Sequence, residues 1–171
     1  MQRVQGFIIM QAMGLPSPME IQVADEAQMQ ELGRLLAGLL PYRPKIWLHG
    51  DLGAGKSTLA RACLRTLGVQ GAIKSPTYTL VERYPLQDGG EAWHLDLYRI
   101  ADAEELEYLG LDEADVRFWL IEWPQRGQGF LSAPDLELEL LHTGETSRIV
   151  KFTVRNSEFV TSVTSIVKEF H

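Results

Sequence analysis

A lysine and a serine stand side by side at the end of a glycine-rich run, Gly50-Asp51-Leu52-Gly53-Ala54-Gly55-Lys56-Ser57. The run fits G-x-x-x-x-G-K-[ST] at every fixed position, the pattern of a phosphate-binding loop, or P-loop. Its glycines let backbone N–H groups turn inward around phosphate oxygens. Lys56 adds a point charge with the reach of the β- and γ-phosphates. Ser57 offers a hydroxyl to Mg²⁺, an ion that keeps several waters and takes few protein ligands. A helix opening near Lys56 aims the positive end of its dipole at the same oxygens. The chemistry these residue types imply is the binding of a nucleoside triphosphate with Mg²⁺.

Such a loop needs a metal-binding or water-orienting carboxylate at the end of a neighbouring strand. Asp96 ends Trp93-His94-Leu95-Asp96, and Glu122 ends Phe118-Trp119-Leu120-Ile121-Glu122. An acid that follows apolar strand residues is costly to bury unless a cation or a water partners it. Thr77 and Thr79 lie between the P-loop helix and the Asp96 strand, where switch segments of such proteins sit. As β-formers after Pro76 they suit a turn entering a strand, and on spacing alone that reading is the better one. Arg99, Arg126 and Arg148 are cations suited to phosphate or to a partner surface. His94 precedes Asp96 by two residues and so shares its strand face. That placement suits a packed or hydrogen-bonded histidine.

The flanking pattern supplies the elements that must position these groups. The apolar run 45–49 reads as a strand entering the loop, and 57–67 as the helix leaving it, with Gly68 as its C-cap glycine. Ahead of them, residues 20–24 read as a strand. Asp25, with Gln28 three residues on, caps a helix whose apolar face is Met29, Leu32, Leu35, Leu36, Leu39 and Leu40. Pro41 and Pro44 end it. Residues 78–84 and 92–98 read as a hairpin around Asp88-Gly89-Gly90. Asp102 and Glu105 cap a short helix ending at Gly110, residues 117–121 form an apolar strand, and 123–133 a Pro/Gly loop. Residues 135–141 and 148–154 form two strands around Thr143-Gly144-Glu145, and Val160, Val163 and Val167 mark a last helix. The expected architecture is α/β: one P-loop NTPase-like domain over residues 20–155, a single mixed sheet flanked by helices. Residues 156–171 form a tail or helix.

Residues 1–19 read as a flexible N-terminal extension. Their apolar run, Gly6-Phe7-Ile8-Ile9-Met10, is too short for a signal peptide, and Met13 or Met19 is an alternative start. The 171 residues suffice for one domain, and no stretch has transmembrane length, so no membrane role is expected. A net charge of −7 argues against a broad nucleic-acid-binding face. Cys63 is the only cysteine, which excludes an internal disulfide or a cysteine metal cluster and fits a reducing cytoplasm.

Within the P-loop class, a Ras-like guanine reader Asn-Lys-x-Asp is absent, because the single asparagine, Asn156, lies between Arg155 and Ser157. Only Arg117 and Arg126 fall between residues 100 and 147, too few arginines for the lid of a small-molecule kinase. A minimal ATPase remains, with a small-molecule P-loop kinase or a nucleotide-gated binding module as alternatives.

Collinear segments then make a resemblance specific. They are residues 50–58, Lys74-Ser75-Pro76-Thr77-Tyr78-Thr79-Leu80-Val81-Glu82, and His94-Leu95-Asp96-Leu97-Tyr98-Arg99. Glu104-Glu105-Leu106-Glu107 with Gly110, and Leu120-Ile121-Glu122-Trp123-Pro124, follow in the same order. Over residues 20–155 the chain resembles the bacterial TsaE (YjeE) family, the ATPase of tRNA N6-threonylcarbamoyladenosine biosynthesis. The resemblance implies weak, Mg²⁺-dependent ATP hydrolysis that is raised by the partner proteins TsaD and TsaB, with tRNA engaged only indirectly. By the same resemblance Gly53, Ala54, Gly55, Lys56, Ser57 and Thr58 hold the phosphates. Ser57 replaces the family's common threonine as a metal ligand. Asp96 takes the Walker B-like place, Glu122 is the second metal or water-orienting acid, and Thr77 belongs to a switch-like loop. Asp25 and Glu26 correspond to an N-terminal nucleotide contact, and Gly144 with Arg148 to a G-x-x-x-R pattern. Trp123 follows the acid as it does in the family.

Overall fold

The structure is a computed structural model that describes residues 19–112 and 114–170. Its frame is a seven-stranded mixed sheet in the order β1-β7-β6-β2-β5-β4-β3. The strands are β1 Glu20–Val23, β2 Lys45–His49, β3 Val81–Pro85, β4 Glu91–Asp96, β5 Val116–Glu122, β6 Leu136–His142 and β7 Arg148–Val154. The four central strands, β6, β2, β5 and β4, run parallel, and β1, β7 and β3 pair antiparallel at the flanks.

Alternation along the central strands sorts their side chains onto two unlike faces. Ile46 and Leu48 of β2, Phe118 and Leu120 of β5, and Leu136, Leu138 and Leu140 of β6 join one core with three helices. These are α1 Glu26–Ala37, α2 Lys56–Thr66 and α3 Val160–Glu169. Trp93, Leu95 and Ile121 point the other way, into a second core with Leu97, Ile100 and Leu106. There the cover comes from 3-10 turns and loops, including the turn Ala103–Leu109. Asp102 and Glu105 form a full capping box on that turn, and Gly110 closes it at a φ of 64°.

Helices α1 and α2 approach closely because Gly33 has no side chain. A Cβ there would lie 2.6 Å from the carbonyl oxygen of Leu59. Asp25 caps α1 as its spacing requires, accepting from the Gln28 N–H at 2.9 Å, while the Gln28 side chain accepts from the Ala24 N–H. Helix α1 ends at Ala37, earlier than its leucine pattern suggests. Gly38 caps it, and the chain then tightens into the 3-10 turn Leu40–Tyr42.

The expected strand over 78–84 begins only at Val81. Leu80 takes a left-handed φ of 62° and donates its N–H back to the Pro76 carbonyl, which closes a turn in place of an extended run. Aromatic and β-branched content alone did not reveal this turn. At the C-terminus, Phe159, Val163 and Ile166 bury against the helix-side core. Met19 is also buried and accepts from the Phe152 N–H at 2.8 Å, whereas the rest of the expected N-terminal extension, residues 1–18, lies outside the described residues. Among the described residues no helix is long and apolar enough to cross a membrane.

Candidate functional site

The parallel strands β2, β5 and β4 end together on one edge of the sheet, and the site lies at those carboxyl ends, where ligands bind in open α/β sheets. From β2 the chain turns through residues 50–55 into α2. Gly55 caps the helix at a φ of 105°, a conformation that L side chains rarely adopt. Met29 of α1 supports the loop from below, since a Cβ on Gly55 would sit 3.1 Å from its Cε. Arg148, at the start of β7, holds the same loop from the side. Its Nε donates to the Ala54 carbonyl at 3.1 Å and its Nη2 to the Gly53 carbonyl at 3.0 Å. With those carbonyls held away, the loop's N–H groups, apart from that of Ala54, which donates to the Asp51 carbonyl at 3.1 Å, are left to face an anion.

A cavity of about 480 Å³ opens over the loop, lined by residues 52–58 and by Thr77, Asp96, Tyr98, Arg99, Glu122 and Trp123. A smaller one of about 270 Å³ shares residues 53–55 and Thr58, and is walled by Asp25, Glu26, Met29, Glu145, Thr146 and Arg148. Together they bring to one place Lys56, Ser57, Thr58, Asp96, Glu122, Thr77 and Glu26. Gly144 lines neither cavity. It sits in the turn that carries Arg148, whose Nη1 reaches its carbonyl at 3.4 Å. Thr79 also stands apart, donating to Glu82 at 2.9 Å.

Lys56 is only 4% exposed, and its Nζ donates to the carbonyls of Gly50 at 2.6 Å and Asp51 at 2.8 Å. The Trp123 ring lies 4.5 Å from the same ammonium, and the Tyr98 ring packs against Trp123 with centroids 5.0 Å apart and planes tilted by 46°. Burial pushes the Lys56 amine below its ordinary range, while the charges of Glu122, Asp96 and Asp51 act the other way.

Asp96 and Glu122 are register partners on β4 and β5, and both face the helices. Each is almost fully buried. Burial raises the Asp96 carboxyl above its usual range, the Tyr98 N–H bond lowers it, and the neighbouring Glu122 charge raises it again. Thr77 donates its hydroxyl to Asp96 Oδ2 at 3.4 Å. Ser57 donates to Glu122 at 3.1 Å and 3.3 Å, to Oε1 and Oε2 respectively. His94 completes the cluster, with Nε2 at 2.7 Å from Glu122 Oε1 and no exposure.

These groups fit Mg²⁺ better than a transition metal. Among the described residues no three His, Cys, Asp or Glu side chains gather as a metal cage. Two buried carboxylates and one hydroxyl beside an anion-binding loop suit an ion that keeps its waters and shares phosphate oxygens. Arg99 is the other cation lining the larger cavity, its guanidinium 4.7 Å from the exposed Tyr78 ring.

The loop and both acids singled out from the sequence meet at this cavity, and three supports were not legible there: the bond from His94 to Glu122, the Met29 floor and the Arg148 grip. Shared strand parity with Asp96 was the only signal for His94. The G-x-x-x-R spacing was the only one for Arg148.

Comparison with known proteins identifies a family and a fold. The family described as "Threonylcarbamoyl adenosine biosynthesis protein TsaE" matches residues 23–150. The tRNA threonylcarbamoyladenosine biosynthesis protein TsaE of Haemophilus influenzae is 44% identical over 121 residues, covering 67% of this chain and 76% of that protein. Its counterpart from Aquifex aeolicus is 34% identical over 134 residues, covering 77% and 93%. In fold, the crystal structure of Bacillus YdiB superposes with a TM-score of 0.66 at 21% identity, covering 89% of this chain and 95% of that one.

Proposed function

This chain belongs to the TsaE family of threonylcarbamoyl adenosine biosynthesis proteins, and we propose that it serves there as a Mg²⁺-dependent ATPase. In this reading it supports threonylcarbamoyl modification of the tRNA adenosine next to the anticodon. It does so in the cytoplasm by acting on a TsaD–TsaB complex rather than by chemistry on tRNA. The observation that carries the reading is the meeting of Lys56, Ser57, Asp96 and Glu122 around one cavity at the mouth of the P-loop.

Each group has a task set by its surroundings. The N–H groups of residues 53–58 and the start of α2 hold phosphate oxygens. Lys56, cationic among three carboxylates, neutralises phosphate charge. Ser57, with Asp96 and Glu122, would hold Mg²⁺, which would supply positive charge to offset that of the phosphates. Glu122, near Lys56 but not in an ion pair with it, accepts a hydrogen bond from a water and orients it. Thr77 ties the 75–80 loop to Asp96 and makes that loop responsive to what the cavity holds. Glu26 and Thr58 border the smaller cavity, where the nucleoside end of the ligand would lie. Catalysis of this kind is mostly positioning and charge neutralisation, and loss of one such group costs about 10²–10³ in turnover.

ATP turnover with Mg²⁺, for the chain alone and then with TsaD, TsaB and tRNA, tests the proposal. Low basal turnover that rises with the partners is expected. ATP binding without a response to active partners would sink it and favour a kinase acceptor screen. Partner function kept by Glu122→Ala but lost by Lys56→Ala would instead favour a nucleotide-gated binding module.

A further inference from the structure

We propose that His94 is a positioning residue that locks one oxygen of Glu122 and leaves the other free to act in the cavity. The inference rests on the ATPase reading for what Glu122 does, and on geometry alone for what His94 does to it. His94 lies on β4 with no exposure, between Ala92 and Asp96 on the helix-facing side. Its Nε2 is 2.7 Å from Glu122 Oε1. Its other nitrogen, Nδ1, is buried without a hydrogen-bond partner.

That asymmetry assigns the tautomer. An ionised carboxylate only accepts, so Nε2 carries the proton. A proton on Nδ1 would be a buried donor without an acceptor, whereas one on Nε2 meets a carboxylate oxygen. Oε1 therefore receives the short imidazole bond together with the nearer Ser57 contact at 3.1 Å. Oε2 receives only the longer Ser57 contact at 3.3 Å. The imidazole thus saturates one oxygen and fixes the plane of the carboxylate. The second oxygen keeps lone pairs for a water or a cation. Outer partners of this kind typically contribute about 10–100-fold in metal affinity or activity.

Two amides of different reach test this. In His94→Gln the side-chain Nε2 stands the same number of bonds from Cβ as the imidazole Nε2. In His94→Asn the donor stands one bond short and falls where Nδ1 was. Folding of both is checked by thermal melting, and metal-free ATP affinity by titration in EDTA. The readouts are Mn²⁺ affinity of the ADP complex by electron paramagnetic resonance, and ATP turnover. His94→Asn is expected to lose about tenfold or more in both, with metal-free ATP affinity within about twofold of wild type, and His94→Gln to recover most of the loss. Equal Mn²⁺ affinity and turnover in both amide variants would overturn the role of His94, whether both match wild type or both fail. The ATPase reading fails separately, if wild type and Lys56→Ala bind ATP equally well and neither turns it over. In that case the Mn²⁺ comparison still decides the role of His94.

Discussion

Two histidine–glutamate pairs bridge neighbouring parallel strands on opposite faces of the sheet and do opposite things. His49 ends β2 and meets Glu137 of β6 at 3.0 Å, with 29% and 19% of the side chains exposed. His94 meets Glu122 at 2.7 Å, with 0% and 3% exposed. The first pair has a third member, Arg155, whose Nε donates to Glu137 Oε1 at 2.8 Å. The His49 hydrogen bond, aided by Arg155, holds the Glu137 carboxyl below its usual range. The second pair has no arginine. Its neighbours are a serine hydroxyl, a second buried carboxylate and the Lys56 ammonium, whose hydrogen bonds go to the Gly50 and Asp51 carbonyls instead of to Glu122. The same two residue types make a satisfied structural contact where a cation is built in. Where the protein supplies no arginine, they make an unfinished site that suits an added cation.

The contrast is sharpest in activity. Glu122→Gln should lower ATP turnover about 10²–10³-fold, whereas Glu137→Gln should stay within about twofold of wild type, measured side by side in one steady-state assay. Comparable losses in the two variants would erase the distinction.

Stability should move in opposite directions. Glu122→Gln removes a buried charge yet keeps an acceptor for His94, so the nucleotide-free protein should gain about 1–2 kcal/mol in denaturant unfolding. Glu137→Gln breaks a charge-assisted network and should lose about 1 kcal/mol in the same experiment. A destabilised Glu122→Gln would mean that the carboxylate is better compensated than its partners indicate.

Acid should separate the regions next. A lowered folded pKa gives Glu137 stability that is full above its ordinary value of 4.5 and lost as pH falls through the lowered value. The difference between wild type and Glu137→Gln should therefore vanish in acid. Asp96 has the reverse sign, because its folded pKa is raised above 3.8. The metal-free protein gains from its protonation as pH falls through the raised value, so Asp96→Asn should be most stabilising near neutral pH. Unfolding of the three proteins across pH checks both signs. The smallest effect is Arg155→Ala, about 0.5 kcal/mol, because that side chain is 45% exposed and solvent screens its pair.

What could be read ahead of the fold follows from how far apart the cooperating residues lie. The P-loop is eight consecutive residues and was legible whole. Asp96 and Glu122 were legible because each closes an apolar strand. The bond between His94 and Glu122 was not, since it spans 28 residues and exists only because β4 and β5 are parallel neighbours in register. Local composition also misled where a single dihedral decides. Residues 78–80 look like strand, and Leu80 turns the chain instead. The family resemblance pointed to Gly144 and Arg148 together, and it is Arg148, at the end of that turn, whose side chain reaches the loop.

The Arg148 grip on the loop has a consequence for the order in which the protein is made. The carbonyls it holds belong to residues 94 and 95 positions earlier in the chain. When the P-loop leaves the ribosome, the residue that fixes its shape has not been translated. The clamped form of the loop is thus among the last features to mature, and a chain that stalls before β7 carries the motif without its clamp.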